Sequence, residues 1–162
     1  MLVVDTSAFV SLAVGDVIDI VLDEFDVMTT ETVFDELGQT ADYDDRHGAG
    51  AATVIDARAR IDIVEKTGEA FETSRIDAGE ASCLAVVREE DAPFLVTDDF
   101  RALPELQQLV DADVVLSPIV LRALVKRSVL TGDEAKEAFE SIATGRDWLG
   151  TPIYRYARTL LE

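Results

Sequence analysis

The sequence predicts a three-layer α/β/α fold with a central parallel sheet and a helical C-terminal extension. Short apolar segments rich in β-branched residues alternate with segments of helical periodicity through most of the chain. Strands separated by helices favour parallel pairing, because each crossover returns the chain to the same end of the sheet. The length of 162 residues is close to that of one domain. We therefore expect a single domain over residues 1–162, with an α/β core at 1–117 and C-terminal helices at 118–162.

The N-terminal half is predicted to begin with a strand buried on both faces, because MLVV is apolar without alternation. Gly15 separates two short helical segments. Thr30 is a candidate N-cap and Gly38 a candidate stop for the helix between them. The predicted order is strand Met1–Asp5, helices Ser7–Val14 and Asp16–Glu24, strand Phe25–Thr29, helix Glu31–Leu37, polar loop Ala41–Gly50, helix Ala51–Arg60, strand Ile61–Glu65 and helix Lys66–Arg75.

The C-terminal half contains the best-defined helical pattern, Ala78–Glu90, and becomes helical throughout after Pro118. The remaining predicted elements are strand Phe94–Thr97, a short helix near Pro104–Val110, strand Asp113–Ser117, and helices Ile119–Arg127, Gly132–Thr144 and Pro152–Leu161.

The composition is strongly acidic. The chain carries 33 Asp and Glu against 14 Lys and Arg, so its formal charge is −19. A hydrophobic content of 48% still provides for a sizeable core, so the acidity does not indicate disorder. An acid excess with only three lysines is typical of proteins from a salt-rich cytoplasm, where a Debye length of about 3 Å at 1 M salt screens the net charge. We therefore predict a halophilic source.

Several classes of protein are excluded. No 18-residue apolar run is present, so we expect no membrane span and no membrane partner. Asp5 interrupts the N-terminal apolar stretch, which argues against a secretory signal. Cys83 is the only cysteine, which excludes a disulfide framework and a cysteine zinc site and favours a reducing cytoplasm. The composition also argues against a large basic surface for nucleic acids.

Acidic residues follow two of the predicted strands. Asp5 ends the first strand, and Asp98 and Asp99 follow the fourth. If these two strands are central and adjacent, the three carboxylates converge at one edge, where open parallel sheets bind ligands. The alternative is helix capping, because an Asp after a strand often caps the next helix.

Glu80 is predicted to face inward. At 100° per residue it shares a helix face with Cys83, Leu84 and Val87, and a carboxylate on such a face needs a partner. Asp77 and Glu80 also have the spacing of a capping box, which is compatible with metal binding and could by itself explain the Glu.

The same helix-face argument applies to Glu36, although the pattern there is weaker. It lies at the edge of an apolar stripe that Val33, Phe34 and Leu37 define, whereas Asp35 points to solvent.

A cluster of these acids, with no Lys or Arg among them, is unstable without a cation, because like charges raise one another's pKa. Oxygen ligands alone favour Mg²⁺ or Mn²⁺ over zinc. His47, the only histidine, falls in the polar loop and is expected to be solvated. An acid cluster with a divalent ion is the chemistry of phosphodiester hydrolysis.

Four segments resemble the acidic motifs of PIN-domain ribonucleases, a family that includes VapC-type toxins of toxin–antitoxin pairs. They are VVDTSAFV, TVFDEL, DAGEASCLAVV and FLVTDDFRAL. The closing helices, SPIVLRALVKRSVL and TGDEAKEAFESI, resemble a PIN branch with GEA at the third motif.

The resemblance implies a PIN-like, Rossmann-like fold and metal-dependent endonucleolytic cleavage of RNA, with water attacking phosphorus. It makes Asp5, Glu36 and Glu80 the first three catalytic acids, Glu80 replacing a more usual Asp. Asp98 and Asp99 supply the fourth and a possible fifth. The expected metal ligands are Asp5, Glu80, Asp98 and Asp99, with the choice between the last two left open. Thr6, Ser7 and Thr97 resemble the family's small polar residues, which orient ligands or water.

We predict that individual basic side chains near the site contact the substrate, because the chain has no large basic surface. Arg101 is one candidate, and the others on the C-terminal helix are Arg122, Lys126 and Arg127, although exposed bases on helices are usually only solubilising. The resemblance further implies a homodimer and a small antitoxin partner.

Two alternatives to a ribonuclease remain. A phosphatase or a phosphoacceptor receiver domain is disfavoured, because position 7 is Ser7 and the acidic pair follows the fourth strand rather than the first. The second alternative is a PIN-like binding module without activity, which the Glu at position 80 keeps open.

Overall fold

The computed structural model describes residues 1–162 and contains one sheet of five parallel strands with nine α-helices. The strand order is β3-β2-β1-β4-β5. The strands are β1 (Leu2–Val4), β2 (Val27–Thr30), β3 (Asp62–Val64), β4 (Phe94–Val96) and β5 (Asp113–Val115). The three-layer α/β/α fold predicted from the alternation of strands and helices is confirmed.

The first strand lies at the centre of the sheet. It pairs with β2 on one side and with β4 on the other, with Val3 opposite Met28 and Leu95. Val3 and Val4 have no solvent exposure, as the apolar run predicted. The strand order reverses direction between β1 and β4, and such a switch point opens a crevice beyond the carboxyl ends of the strands. The fold therefore places Asp5 at the mouth of this crevice.

The helices connect the strands and continue past the sheet. They are α1 (Thr6–Val14), α2 (Ile18–Glu24), α3 (Glu31–Thr40), α4 (Arg46–Asp56), α5 (Ala78–Glu90), α6 (Leu103–Leu109), α7 (Ser117–Lys126), α8 (Gly132–Gly145) and α9 (Pro152–Leu160). Short 3₁₀ turns lie at Arg58–Arg60 and Glu69–Phe71. None of the helices combines the length and the apolarity that crossing a bilayer requires.

The hydrophobic core is one cluster of 43 buried residues that joins the sheet to its helices. Helix α5 packs on β1, β2 and β4, while α1 contacts α3, α4 and α8. The long closing helix α8 is therefore anchored on the helix that follows Asp5. Residues near the end of the chain are held close to the switch point by this packing.

Four predicted elements differ from the structure. Gly38 does not end a helix, because α3 continues to Thr40 and Gly38 is an exposed interior position. The polar loop is shorter than predicted, because the Asp45 side chain accepts the Gly48 N–H at 2.8 Å and starts α4 at Arg46.

The segment Lys66–Arg75 is not helical beyond the 3₁₀ turn. Thr73 Oγ1 accepts the N–H groups of Arg75 and Ile76, both at 3.1 Å, and this turn takes the backbone groups that a helix would use. The predicted helix at residues 51–60 also ends early, at Asp56.

Candidate active site

A cavity of about 520 Å³ lies beyond the ends of β1 and β4. Only two of its 14 lining residues are hydrophobic, and six are carboxylic acids contributed by separate parts of the chain. The acids are Asp5, Glu36, Asp77, Glu80, Asp98 and Asp99. The structure therefore brings all five sequence-predicted acids into one cavity, together with Asp77.

Asp5 is held rigidly at the base of this cavity. It is 2% exposed and caps helix α1, because its Oδ1 accepts the Ala8 N–H at 3.0 Å and the Ser7 hydroxyl at 2.8 Å. Its Oδ2 accepts the Thr97 hydroxyl at 2.5 Å. Burial nevertheless dominates over these hydrogen bonds and raises the pKa of Asp5 from 3.8 to about 7. Capping and a role in the cavity thus coexist at this residue.

Ser7 and Thr97 connect the ends of the two central strands. The Asp98 N–H donates to Ser7 Oγ at 2.9 Å, and the Asp99 N–H donates to Thr97 Oγ1 at 3.2 Å. Thr97 has no solvent exposure, so its hydroxyl positions Asp5 rather than facing a substrate. Thr6 and Ser7, in contrast, line the cavity.

Glu80 is buried at the first turn of helix α5. The capping box is present, because the Asp77 side chain accepts the Glu80 N–H at 2.8 Å and Glu80 Oε2 accepts the Asp77 N–H at 3.2 Å. Burial raises the pKa of Glu80 strongly, and the neighbouring carboxylates of Asp99 and Asp5 raise it further. A bound cation at this position would offset the same repulsion.

Glu36 reaches the cavity from helix α3. Its Oε1 accepts the Thr6 hydroxyl at 2.5 Å, and the nearby Gly79 N–H favours the charged form of the carboxylate. A Cβ on Gly79 would lie 2.1 Å from Glu36 Oε1, so this close approach depends on the missing side chain. Burial raises the pKa of Glu36, whereas Asp35 on the same helix is exposed.

The two adjacent acids after β4 have different environments. Asp98 is 7% exposed, and its Oδ1 accepts the Ser117 N–H at 2.7 Å at the start of α7. Its Oδ2 is buried without a hydrogen-bond partner. Asp99 is half-buried, faces Glu80 and accepts the Ala102 N–H at 3.2 Å.

Arg146 and His47 line the cavity, although the sequence did not indicate either of them. The acid cluster was expected to contain no Arg, but Arg146 follows α8 and its charge interacts with Asp98 and Asp5. Burial lowers the Arg146 pKa, and its Nε has no hydrogen-bond partner. His47 lies in helix α4 and is partly buried rather than solvated. Both positions depend on helix packing, which no local pattern shows.

The predicted basic contacts lie elsewhere. None of Arg101, Arg122, Lys126 and Arg127 lines the cavity, and all four side chains are exposed. Arg127 packs its guanidinium over the Phe25 ring, 4.4 Å from the centroid, and pairs with Glu24 at 3.8 Å. These contacts give Arg127 a structural role at the surface of the fold.

The donor set of the cavity fits a divalent cation. All the nearby acids offer oxygen, the Asp98 Oδ2 is buried and unpaired, and burial together with the neighbouring Asp99 raises the pKa of Glu80. The carboxylates are not preassembled around one point, because no three Asp, Glu, His or Cys side chains already form a metal-binding group. Glu80 is committed to the Asp77 amide in this arrangement.

Comparison with known proteins agrees with the fold. A family model described as PIN domain matches residues 1–162, which is the whole chain. No curated protein and no solved structure matches the sequence. PIN domains generally have a nuclease fold and are typically metal-dependent. The chain belongs to the PIN-domain family.

Proposed function

We propose that this protein is a metal-dependent endoribonuclease that hydrolyses RNA phosphodiester bonds. The observation that carries the proposal is the convergence of acids from four separate segments in one cavity at the switch point of the sheet. Stability alone does not account for such a cluster, because burial and mutual repulsion disfavour the charged carboxylates and raise their pKa values.

We assign different roles to the individual acids. Asp5, Glu80 and Asp99 would hold the ion, which is Mg²⁺ or Mn²⁺ because the donors are oxygens. Asp98 also offers its free Oδ2, while its other oxygen anchors helix α7. The ion, when bound, supplies positive charge that activates water and neutralises the phosphate.

The remaining residues of the cavity would bind and orient the substrate. Glu36 is held by Thr6 at the edge of the acid cluster, where it can accept a proton from water or orient it. Arg146 provides the guanidinium of the cavity lining and is suited to a phosphate oxygen. Ser7 fixes the chain between Asp5 and Asp98.

The biological setting is a further part of the proposal. The GEA segment at residues 79–81 and the two closing helices support a VapC-like toxin that dimerises and is held by a small antitoxin. The acid excess of the composition supports a salt-rich cytoplasm. RNA is the proposed substrate in either setting.

An inactive PIN-like binding module is the second candidate. It is favoured by one observation, the commitment of Glu80 to its own helix cap, which leaves the acids short of a preassembled metal group. A binding module would retain the cavity without needing a cation in it.

A ribonuclease assay separates the two candidates. We expect wild type to cleave single-stranded RNA with Mn²⁺ in high salt, and Asp5→Asn to lose at least about a hundredfold in rate, since the substitution removes charge that the ion requires. Asp35→Asn, an exposed acid of α3, is the matched control and should retain full activity. Equal cleavage by wild type and Asp5→Asn, or none by either, would count against catalysis at this site.

A further inference from the structure

The lining of the cavity contains two chemically different groups of side chains. Besides the carboxylates, it includes the amide of Gln39, the phenol ring of Tyr43 and the imidazole of His47. These three residues come from the end of helix α3, the connection to α4 and the first turn of α4. The metal-binding proposal leaves this second group without a role.

Tyr43 is unusual among the aromatic residues of the chain. It is 66% exposed, more than any other large hydrophobic side chain. It makes no aromatic pair, whereas Tyr154 stacks on Phe139 and Tyr156 contacts Phe100. The core does not use the ring, so an aromatic surface of this size at a cavity rim is available to a ligand.

The backbone around Tyr43 is firmly held although its ring is free. The Tyr43 N–H donates to the Thr40 carbonyl at 3.1 Å. Gly48 packs directly on the Tyr43 carbonyl, where a Cβ would lie only 1.9 Å from the oxygen. A ring on a fixed backbone can bind a planar ligand with little loss of entropy.

His47, which lines the same cavity, provides a second indication of a ligand beside Tyr43. Its Nε2 is buried without a hydrogen-bond partner, and an unpaired buried polar atom is costly. Gln39 adds an amide that both donates and accepts hydrogen bonds. A flat face beside hydrogen-bonding groups matches an unstacked nucleobase, which proteins bind by stacking and by reading its edges.

We propose that Tyr43, His47 and Gln39 form a nucleobase subsite next to the carboxylates, with Tyr43 stacking on one unpaired base. The inference deepens the proposed ribonuclease function and rests on it. Because a base can reach the ring only when it is unstacked, the substrate class is single-stranded RNA, or a loop, rather than a duplex. The base is neutral, so its binding is compatible with the carboxylates that line the same cavity.

Steady-state cleavage of one RNA by four proteins tests the subsite. We expect Tyr43→Leu to raise KM about tenfold or more while kcat changes less than twofold, because one base–aromatic stack is lost. Tyr43→Phe keeps the ring and should stay within about twofold of wild type. Tyr156→Leu removes an exposed tyrosine outside the cavity and should leave KM unchanged.

A modified substrate makes the test specific to stacking. Removing the base nearest the cleaved bond should raise KM for wild type and not for Tyr43→Leu, because the two changes delete the same interaction. Equal KM values for wild type and Tyr43→Leu would overturn the subsite while leaving the ribonuclease proposal intact. No cleavage by wild type would overturn both.

Discussion

Gly79 is the residue on which the position of Glu36 depends. The glycine lies in the first turn of α5, and its missing side chain leaves room for the Glu36 carboxylate against the helix N-terminus. A positive helix end and the Gly79 N–H both favour a carboxylate there. The small residue before Glu80 therefore shapes the cavity as directly as the acid itself.

We expect Gly79→Ala to displace Glu36 without unfolding the protein, because the methyl group meets the flexible end of a side chain. Cleavage of RNA should fall at least about tenfold, since small misplacements of reacting groups are costly. The control is Gly132→Ala in the first turn of α8, where a Cβ meets no atom within 4 Å. Wild-type activity in Gly79→Ala would show that the position of Glu36 is unimportant.

The raised pKa of Asp5 predicts that the stability of the metal-free protein depends on pH. Its pKa is about 7 in the folded chain against an ordinary value of 3.8, so between these two pH values the unfolded state binds fewer protons than the folded state. Stability therefore falls as the pH rises through this range, by up to about 4 kcal/mol.

Chemical denaturation at pH 4 to 8 in chelator measures this effect. The free energy of unfolding of wild type should decrease relative to that of Asp5→Asn up to about pH 7, and the difference should then become constant. Parallel pH profiles for the two proteins would mean that the Asp5 pKa is not raised.

The residue-scale features that the sequence predicted are those with a local pattern. The inward direction of Glu80 followed from its 100° spacing to Cys83 and Leu84, and the capping box from Asp77. Arg146 and His47 were missed, because nothing near them in sequence shows that α8 and α4 bring them to the cavity.

At the scale of elements, some glycines were poor guides to structure. Gly38 predicted the end of a helix and is instead an exposed interior position of α3. Residues 41–50 were predicted to form a polar loop, yet Gly48 and Gly50 are buried where α4 packs closely against its neighbours. Sequence identifies a glycine as permissive but does not tell whether backbone freedom or close packing is its purpose.

Two glycine substitutions should therefore change stability in opposite directions. Gly38→Ala should stabilise the protein by about 0.5–1 kcal/mol, because a helix interior favours alanine and the new Cβ meets no atom within 4 Å. Gly145→Ala should destabilise it by about 1–3 kcal/mol, because its Cβ would lie 2.4 Å from Val14 Cγ1 between α8 and α1. Urea denaturation of both variants measures the difference, and shifts of the same sign would contradict the packing described for α8.

The segment between strands β3 and β4 shows why a connection was harder to predict than the strands themselves. The segment Lys66–Arg75 has helix-compatible composition, but the Thr73 turn takes its backbone hydrogen bonds. The predicted strands all appear, because each is short, apolar and β-branched and has a neighbour to pair with.

At the scale of the whole molecule, the strand order determines where the acids meet. The order β3-β2-β1-β4-β5 places the ends of β1 and β4 side by side, so residues about 90 positions apart share hydrogen bonds through Ser7 and Thr97. The convergence of Asp5 with Asp98 and Asp99 could be predicted from the rule for parallel sheets. The width of the cavity and the presence of Arg146 in its lining could not be predicted, because both depend on how α4 and α8 pack.

The central claim is that acids distant in sequence form one divalent-cation site in the folded chain alone. A ligand that binds only the folded state stabilises it, by about 2.7 kcal/mol at a ligand concentration of 100 Kd, and therefore raises the melting temperature. Thermal unfolding of wild type, Glu80→Gln and Asp99→Asn with and without Mn²⁺ in high salt tests this most directly, with exposed Asp35→Asn as the control. We expect a clear rise in melting temperature for wild type and Asp35→Asn and a much smaller rise for Glu80→Gln and Asp99→Asn. The same rise in all four proteins would place the ions elsewhere on the acidic surface and contradict the account.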